Sequence, residues 1–234
     1  MDALARLRAE PARAAILLDV DGTLAPIVER PEDARVPDDT RDVLRSLVAR
    51  YGLVAAITGR PSSDATRLVG VPGITATGKH GLELEQIDEI WHERMLELAV
   101  GVPYRFEDKG VSVSFHYRDV EDQRSARAEL EALAERAVAA GLKARFGRKV
   151  LELLPPLDVH KGTAVRGLLE RAGLSRALYA GDDTTDLDAF AALEDLDVGV
   201  RVAVDSPEAP SQLAEQADVV VDGPDGLVEL LRGL

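Results

Sequence analysis

Short apolar runs that end in turns alternate along this chain with stretches whose apolar residues recur at helical spacing. Such runs are typical of buried strands in a parallel sheet, and the intervening stretches of amphipathic helices. The predicted strands lie within Ala14–Leu24, Leu53–Thr58, Ile74–Leu84, Ala177–Ala180, Asp197–Val202 and Asp218–Val221. The predicted helices are Pro37–Tyr51, Ser62–Leu68, Lys161–Ala172, Thr185–Leu193, Ser211–Gln216 and Asp225–Leu231. This alternation predicts an α/β fold with a Rossmann-like parallel sheet.

The pattern changes in the middle of the chain. Predicted strands there are Tyr104–Glu107, Val111–Tyr117, Lys143–Phe146 and Val150–Leu154, and predicted helices are Trp91–Val100 and Asp122–Ala140. Val111–Tyr117 alternates between apolar and polar residues, as antiparallel strands with one solvated face do. We therefore predict a core formed by residues 1–102 and 157–234, with a smaller α+β domain inserted at 103–156.

Composition narrows the class of protein. The 234 residues carry a net charge of −14, which argues against a nucleic-acid partner because nucleic-acid binding requires a basic surface. Cysteine is absent, which excludes disulfides and thiolate metal sites. The first 13 residues are charged throughout, unlike a signal peptide, and no apolar run approaches the roughly 20 residues that span a bilayer. We expect a cytoplasmic protein without a membrane partner.

Two carboxylates follow the first predicted strand, Asp19 and Asp21, with Gly22 and Thr23 directly after them. Period-two alternation places both acids on one side of the chain, where they repel unless a cation or a shared proton relieves them. A calcium loop of the EF type is excluded, because its fifth, sixth and twelfth positions do not fit here. The pair alone leaves catalysis and a structural turn open.

A second acidic cluster follows a later strand and contains Asp182, Asp183 and Asp186. One acid would serve as a helix cap, but three exceed what capping requires. Ligands bind outside the carboxyl ends of the strands in such sheets. Two carboxylate clusters at this edge predict a site for a hard cation, most simply Mg²⁺.

Phosphate-type groups lie between the two clusters. Thr58, Gly59 and Arg60 end the second strand, and Lys161 begins a helix whose N–H groups favour an anion. Taken singly, Thr58 is better explained as a turn residue and Lys161 as a solvated lysine. Gly73–Lys79 matches the GxxxxGK of a nucleotide-binding loop, but His80 follows where Ser or Thr is needed, so we discard that interpretation.

In this order, the motifs DVDGTL, Thr58, Lys161 and GDDTTD resemble those of the haloacid dehalogenase superfamily of phosphohydrolases. Within it the chain is similar to the trehalose-6-phosphate phosphatase family. The stretches that carry this second resemblance are ITGR, GKHG, EDKGVSVSFHYR, LELLP and HKG. The resemblance covers the whole chain and identifies the insertion as the cap domain.

The resemblance implies a Mg²⁺-dependent phosphatase in which Asp19 is the nucleophile and Asp21 the general acid and base. It further implies that Thr58 and Lys161 hold the phosphoryl oxygens and that substrate is bound by Gly59, Arg60, His80, Gly81, Lys109, His116, Arg118 and Glu152. The implied metal site comprises Asp19, the Asp21 carbonyl, Asp182, Asp183 and Asp186. The expected partner is a small sugar phosphate, the expected state a monomer, and the suggested functional link a trehalose-phosphate synthase.

Alternatives remain open within and outside this chemistry. The sugar phosphate could instead be sucrose phosphate, glucosyl- or mannosyl-3-phosphoglycerate, or a broad range of hexose phosphates. A sugar-phosphate sensor without catalysis and a mutase are the other classes. The sensor is disfavoured because every motif residue is intact.

Overall fold

The computed structural model describes residues 3–28, 30–84, 89–147, 149–207 and 209–234. Its strands are β1 Ala15–Leu18, β2 Leu53–Ile57, β3 Thr75–Thr77, β4 Arg105–Asp108, β5 Val113–His116, β6 Lys143–Gly147, β7 Val150–Leu154, β8 Arg176–Gly181, β9 Val198–Asp205 and β10 Val219–Asp222. Its α-helices are α1 Ala3–Ala9, α2 Asp38–Val48, α3 Ser62–Val69, α4 Glu89–Ala99, α5 Gln123–Ala139, α6 Lys161–Ala172, α7 Asp186–Ala191, α8 Ser211–Gln216 and α9 Gly223–Arg232. No helix of these described ranges is long and apolar enough to cross a membrane.

The chain forms two compact units, residues 1–84 with 159–234, and residues 85–158. The sequence prediction placed the insertion at 103–156. The second unit of the structure is larger than this predicted insertion, because α4 packs its buried Met95 into the same apolar cluster as Phe115 and Leu130. The helix at the start of the insertion thus belongs with the small antiparallel sheet and not with the parallel one.

The first unit is built on a parallel sheet with the strand order β10-β9-β8-β1-β2-β3. Its central strand β1 alternates its side chains between two apolar layers, with Ile16 and Leu18 on one face and Ala15 and Leu17 on the other. Helices α1, α2 and α9 cover the first face, and α6, α7 and α8 cover the second. The predicted α/β fold with a parallel core sheet is confirmed.

Register in this sheet determines where the carboxyl ends of the strands meet. Leu18, the last residue of β1, pairs with Ala56 in β2 and with Ala180 in β8. The segments that follow β1, β2 and β8 therefore leave the sheet side by side. They carry Asp19, Thr58 and Asp182, which the sequence had placed on three separate motifs.

The structure differs from the sequence analysis at helix α1 and at the third strand. Helix α1 was not predicted, although its Leu4 and Leu7 are buried at helical spacing. The third strand covers only Thr75–Thr77, and Lys79–Leu84 forms 3₁₀ turns in which His80 and Gly81 adopt positive φ angles of 57° and 107°. Residues in the left-handed region of φ/ψ space cannot continue a strand, so the chain turns at this point.

The second unit contains an antiparallel sheet with the order β4-β5-β7-β6. Helices α4 and α5 contribute to the apolar cluster on one side of it, which includes Phe115, Leu130 and Leu151. All four residues of the edge strand β4 are exposed. Ser114 of β5 pairs with Glu152 of β7, which brings residues of two sequence motifs onto adjacent strands.

Candidate active site

A buried ion cluster lies at the carboxyl edge of the parallel sheet. Lys161, the first residue of α6, places its Nζ 2.9 Å from Asp19 Oδ1 and 2.6 Å from Asp186 Oδ1. The Lys161 and Asp19 side chains are only 3% and 7% exposed, and that of Asp186 is fully buried. Three motifs far apart in the sequence are thus joined by one ammonium group.

The charges in this cluster depend on one another. Burial lowers the pKa of Lys161, but the charges of Asp19 and Asp186 outweigh it and hold this pKa above its ordinary value. Burial raises the pKa of Asp19 well above its ordinary value; Lys161 opposes this rise, whereas Asp186 and Asp182 add to it. The lysine therefore stays protonated, and three neighbouring carboxyl groups share this one positive charge.

Asp186 organises the loop around it. Its Oδ1 accepts hydrogen bonds from Lys161 Nζ and the Tyr179 hydroxyl, both at 2.6 Å. Its Oδ2 accepts from the backbone N–H groups of Asp182 and Asp183 at 3.0 and 2.8 Å. Four donors fill the lone pairs of a carboxylate. A Cβ on Gly181 would collide with this carboxylate, so the Gly before the acidic motif is required by space.

Tyr179 is a site residue that the sequence analysis missed. It lies on β8, is fully buried, and packs edge-on against Phe190 at 6.2 Å between ring centroids. The signal was present, since a tyrosine in an otherwise apolar buried strand requires a partner for its hydroxyl. Its hydroxyl donates to Asp186, the carboxylate that also accepts from Lys161.

The carboxylates fit a divalent cation. Oxygen atoms of Asp19, Asp182 and Asp186 lie within 4.8 Å of one another, and all three residues are buried. Burial and the charge of Asp186 raise the pKa of Asp182 to about 6, against the opposing hydrogen bond from Thr23. Acidic groups held this close in an apolar setting are relieved by a hard cation, which takes oxygen ligands. A Cβ on Gly22 would collide with the Asp182 carboxylate.

Two of the predicted metal ligands are not among these three carboxylates. Asp183 uses Oδ1 to accept from its neighbour Thr184, at 2.6 Å from the backbone N and 3.0 Å from the hydroxyl. The Asp21 side chain is directed toward Arg60, and the prediction for Asp21 concerned its backbone carbonyl only. Because Asp186 already has four donors, Asp19 and Asp182 are the carboxylates best placed for direct contact with a cation.

Asp21 is held by a bidentate ion pair. Arg60 Nε lies 2.6 Å from Asp21 Oδ2, and Arg60 Nη2 lies 2.6 Å from Asp21 Oδ1. The hydrogen bonds that Arg60 donates to Asp21 are the main cause of a raised pKa of Arg60. The third nitrogen, Nη1, donates to the Pro31 carbonyl at 3.0 Å. Arg60 was predicted to bind substrate; in this structure it binds the predicted acid–base residue.

The turn after β2 and the GKHG stretch support each other. The Arg60 N–H donates to the Thr58 hydroxyl at 3.2 Å, and the His80 N–H donates to the Thr58 carbonyl at 2.9 Å. A Cβ on Gly59 would lie 2.9 Å from His80 Nε2, and one on Gly81 would lie 2.8 Å from the Cβ of Ala164. Gly59 and Gly81 thus leave space for His80 and for α6, and the His80 N–H helps to hold Thr58 in place.

The second unit has its own polar cluster, centred on Glu152 of β7. Glu152 Oε1 accepts from Lys109 Nζ at 3.3 Å and from the Ser112 hydroxyl at 3.1 Å, and Oε2 accepts from Arg145 at 2.6 Å. Burial raises the pKa of Glu152, but the Lys109 charge and the Arg145 hydrogen bond outweigh it, so this pKa is lowered. Ser112 and Arg145 were not predicted, because cross-strand neighbours depend on register.

The remaining predicted residues of this unit lie near the end of β5. His116 Nε2 is 2.8 Å from Glu107 Oε2 on the adjacent strand β4. Arg118 is exposed just beyond β5, and its carbonyl accepts from Gln123 at 2.8 Å. The structure therefore brings Lys109 and Glu152 together, whereas His116 pairs with a different carboxylate.

Curated relatives share part of this chain. A Mycobacterium tuberculosis protein described as an uncharacterized glycosyl hydrolase is 37% identical over 217 residues, which cover 81% of this chain and 16% of that protein. The trehalose-phosphate phosphatase of Mycobacterium avium (strain 104) is 34% identical over 206 residues, which cover 76% of this chain and 51% of that protein. The chain thus spans about half the length of these relatives or less.

Solved structures agree in fold. The C-terminal domain of C. albicans trehalose-6-phosphate phosphatase matches with a TM-score of 0.73 at 22% identity, covering 100% of this chain and 98% of that chain. Aspergillus fumigatus trehalose-6-phosphate phosphatase matches with a TM-score of 0.67 at 24% identity, with the same coverage. Residues 17–101 and 104–225 match the family described as trehalose-phosphatase. The chain belongs to the trehalose-phosphatase family.

Proposed function

We propose that this chain hydrolyses trehalose 6-phosphate to trehalose and inorganic phosphate. The observation that carries the proposal is the buried Lys161, which holds Asp19 and Asp186 at the sheet edge where Asp182 completes a cation site. Membership of the family supports the substrate, and the carboxylate cluster supports phosphoryl transfer. Hydrolysis of a phosphate monoester is extremely slow in water, so positioning and charge neutralisation must supply the catalysis.

In the first step Asp19 attacks phosphorus and forms an aspartyl-phosphate, which divides one difficult reaction into two easier ones. Lys161 remains protonated beside it and stabilises the negative charge of the phosphoryl oxygens. The Thr58 hydroxyl offers a further donor to these oxygens. Mg²⁺ held by Asp19, Asp182 and the Asp21 carbonyl would neutralise charge on the nucleophile and on the phosphoryl group.

Asp21 acts in both steps. It delivers a proton to the sugar oxygen that leaves, and it then accepts a proton from the water that attacks the aspartyl-phosphate. The structure has Asp21 in an ion pair with Arg60, which is the ionised form required for the second task. The first task requires that Arg60 release this carboxylate.

Sugar recognition is assigned to the second unit. Lys109, Ser112 and Arg145 hold Glu152 in one orientation, and a fixed carboxylate accepts hydrogen bonds from sugar hydroxyls. His116 and Arg118 are the further donors that we propose for the glucose hydroxyls. The inserted cap at 103–156 keeps its proposed function as the specificity domain.

A related sugar phosphatase is the second candidate, because it would use the same core and a different cap chemistry. The decisive experiment measures phosphate release from trehalose 6-phosphate beside sucrose, hexose and phosphoglycerate-linked sugar phosphates, with Mg²⁺ and with EDTA. Mg²⁺-dependent preference for trehalose 6-phosphate supports the proposal, and activity spread over the panel replaces it with the second candidate. Absence of release from every ester would favour a regulatory sugar-phosphate binder.

Monomeric state, cytoplasmic location and a functional link to a trehalose-phosphate synthase remain predictions from the sequence and the family resemblance. Sedimentation of the purified chain tests the first of these directly.

A further inference from the structure

A polar cavity of the first unit is lined in part by Arg60, the residue that also pairs with Asp21. Its volume is about 620 Å³, and its charged lining consists of Arg35, Arg41, Arg60, Arg67, Glu32 and Asp64. Neither Asp19 nor Lys161 nor Asp182 lines it. The cavity is thus distinct from the site of phosphoryl transfer but shares one side chain with it.

Guanidinium groups outnumber carboxylates among the side chains that line this cavity. The chain carries a net charge of −14, yet four arginines face two carboxylates here. Arg67 pairs with Asp64 at 2.9 Å. For Arg35, no carboxylate partner occurs within the part of the chain that the structure describes; its Nη1 donates to the carbonyls of Glu32 and Ala34 at 2.8 and 2.6 Å. Arg60 pairs with Asp21 and Arg41 with Asp38, so the guanidinium charge left for an anion is that of Arg35.

One guanidinium group of the cavity, that of Arg41, is fixed in position by backbone carbonyls. Arg41 donates from Nε to the Val69 carbonyl at 3.0 Å and from Nη2 to the Leu68 carbonyl at 3.1 Å. Arg41 uses a further donor, Nη1, to pair with the exposed Asp38 at 2.8 Å, and each guanidinium has five N–H donors in all. Planar donors that are already ordered suit the oxygen atoms of a phosphate group, because little conformational entropy is lost on binding.

We propose that this cavity binds a phosphate-class oxyanion and that the bound anion shares Arg60 with Asp21. Arg60 Nη1 already donates to Pro31, a residue of the cavity lining, while Nε and Nη2 hold Asp21. An anion beside Arg60 competes with Asp21 for the guanidinium group and frees the Asp21 carboxylate to move toward the leaving group. The proposal that an anion binds here does not depend on the proposed function, whereas the effect of the anion on turnover rests on it.

The binding test uses the whole chain in EDTA, which blocks the proposed turnover. Thermal unfolding is followed against inorganic phosphate, with chloride at equal ionic strength as the reference. The double variant Arg35→Gln/Arg67→Gln is compared with Arg13→Gln/Arg45→Gln, which removes two exposed, ion-paired arginines outside the cavity. Two anion sites of similar affinity contribute about equally to the rise in Tm, so the cavity variant should lose about half of it.

The control pair should keep the full rise. An equal rise in wild type, cavity variant and control, or no rise in wild type, would overturn the proposal. The catalytic site is intact in all three proteins, so its own affinity for phosphate cancels in this comparison. Glucose 6-phosphate in place of phosphate distinguishes the source: a larger cavity-dependent rise identifies an organic phosphate, and an equal or smaller rise identifies the free anion.

The coupling test uses a small aryl phosphate with Mg²⁺ and sulfate as the anion. Sulfate at the catalytic site raises KM, whereas sulfate in the cavity should raise kcat by about twofold in wild type and control but not in the cavity variant. A change in KM alone would overturn the coupling. Loss of all turnover would contradict the proposed function and would leave the thermal result to decide the anion site.

Discussion

The ammonium group of Lys161 lies 2.9 Å from the carboxylate of Asp19, and both side chains are almost completely buried. Each charge makes the other tolerable in this setting, because an isolated buried ion would be neutralised by proton transfer or expelled to water. Lys161 also begins a helix, whose N-terminus favours anions. The pair therefore places the proposed nucleophile and a cation that attracts phosphate in one small volume.

The first prediction concerns Asp19→Asn. The amide keeps the shape of the side chain but lacks the nucleophilic carboxylate, so hydrolysis of every phosphate ester should fall by at least about three orders of magnitude. Steady-state phosphate release measures the loss, and circular dichroism checks that the fold is retained. Asp188→Asn on α7 is the matched control and should hydrolyse normally. Ordinary turnover by Asp19→Asn would disprove the nucleophile assignment.

The strand ends explain how much of the site could be predicted. Asp19, Thr58 and Asp182 each follow an apolar run, and parallel strands bring such positions to one edge whatever the detailed packing. The βα alternation was sufficient for this conclusion. Local pattern and a general property of parallel sheets thus placed the main site residues.

Contacts set by tertiary packing could not be predicted in this way. Tyr179 meets Asp186 only once α7 follows β8 at a particular angle, and Arg145 meets Glu152 only in the observed register. Arg60 has many torsion angles, and its pairing with Asp21 depends on two loops. Helix α1 is short, and the charges around Leu4 and Leu7 hid its apolar face.

The second prediction compares two carboxylates, those of Asp182 and Asp183, as ligands of the proposed metal site. Asp182→Asn removes an oxygen ligand from the buried cluster, so the rise in Tm caused by Mg²⁺ should disappear and hydrolysis should fall by about a hundredfold or more. Asp183→Asn should keep most of the rise in Tm caused by Mg²⁺ and most of the hydrolysis. Its Oδ1 already accepts two hydrogen bonds from Thr184. Thermal unfolding with Mg²⁺ or EDTA provides the measurement. The reverse order of effects would exchange the two assignments.

The third prediction concerns Tyr179→Phe. The ring is retained against Phe190, while Asp186 Oδ1 loses one of its two donors, which should cost about 1–3 kcal/mol of stability. Because Asp186 orients Lys161, kcat should fall while KM changes little. Tyr51→Phe is the control, since among the described residues the Tyr51 hydroxyl makes a single long hydrogen bond, of 3.5 Å, to the Leu234 carbonyl. Urea unfolding and steady-state kinetics of both variants test this role, and an unchanged kcat in Tyr179→Phe would contradict it.

The fourth prediction separates recognition from chemistry. Glu152→Gln and Arg118→Ala should reduce kcat/KM for trehalose 6-phosphate by about tenfold or more, because hydrogen bonds to the sugar are lost. Turnover of a small aryl phosphate should change far less. Glu131→Gln, which alters an exposed glutamate paired with Arg127 in the same unit, should affect neither substrate. Equal losses on both esters would argue against a specificity function for the Glu152 cluster.

The fifth prediction concerns pH and the same carboxylate. The pKa of Glu152 is lowered from 4.5, because Lys109 and Arg145 outweigh the effect of burial. The folded state therefore binds a proton at Glu152 less readily than the unfolded state does. The ion pairs of Glu152 with Lys109 and Arg145 thus contribute stability above pH 4.5. That contribution is lost as the pH falls through the lowered pKa.

In urea unfolding, wild type should exceed Glu152→Gln by about 1–2 kcal/mol at pH 7, since the amide cannot pair with either cation. The difference should shrink steadily below pH 4.5, where the wild-type carboxylate becomes protonated and resembles the amide. Glu131→Gln should differ little from wild type at either pH, because its carboxylate is exposed to solvent. A difference between wild type and Glu152→Gln that grows toward acid pH would mean that the carboxylate is strained in the fold instead of held by Lys109 and Arg145.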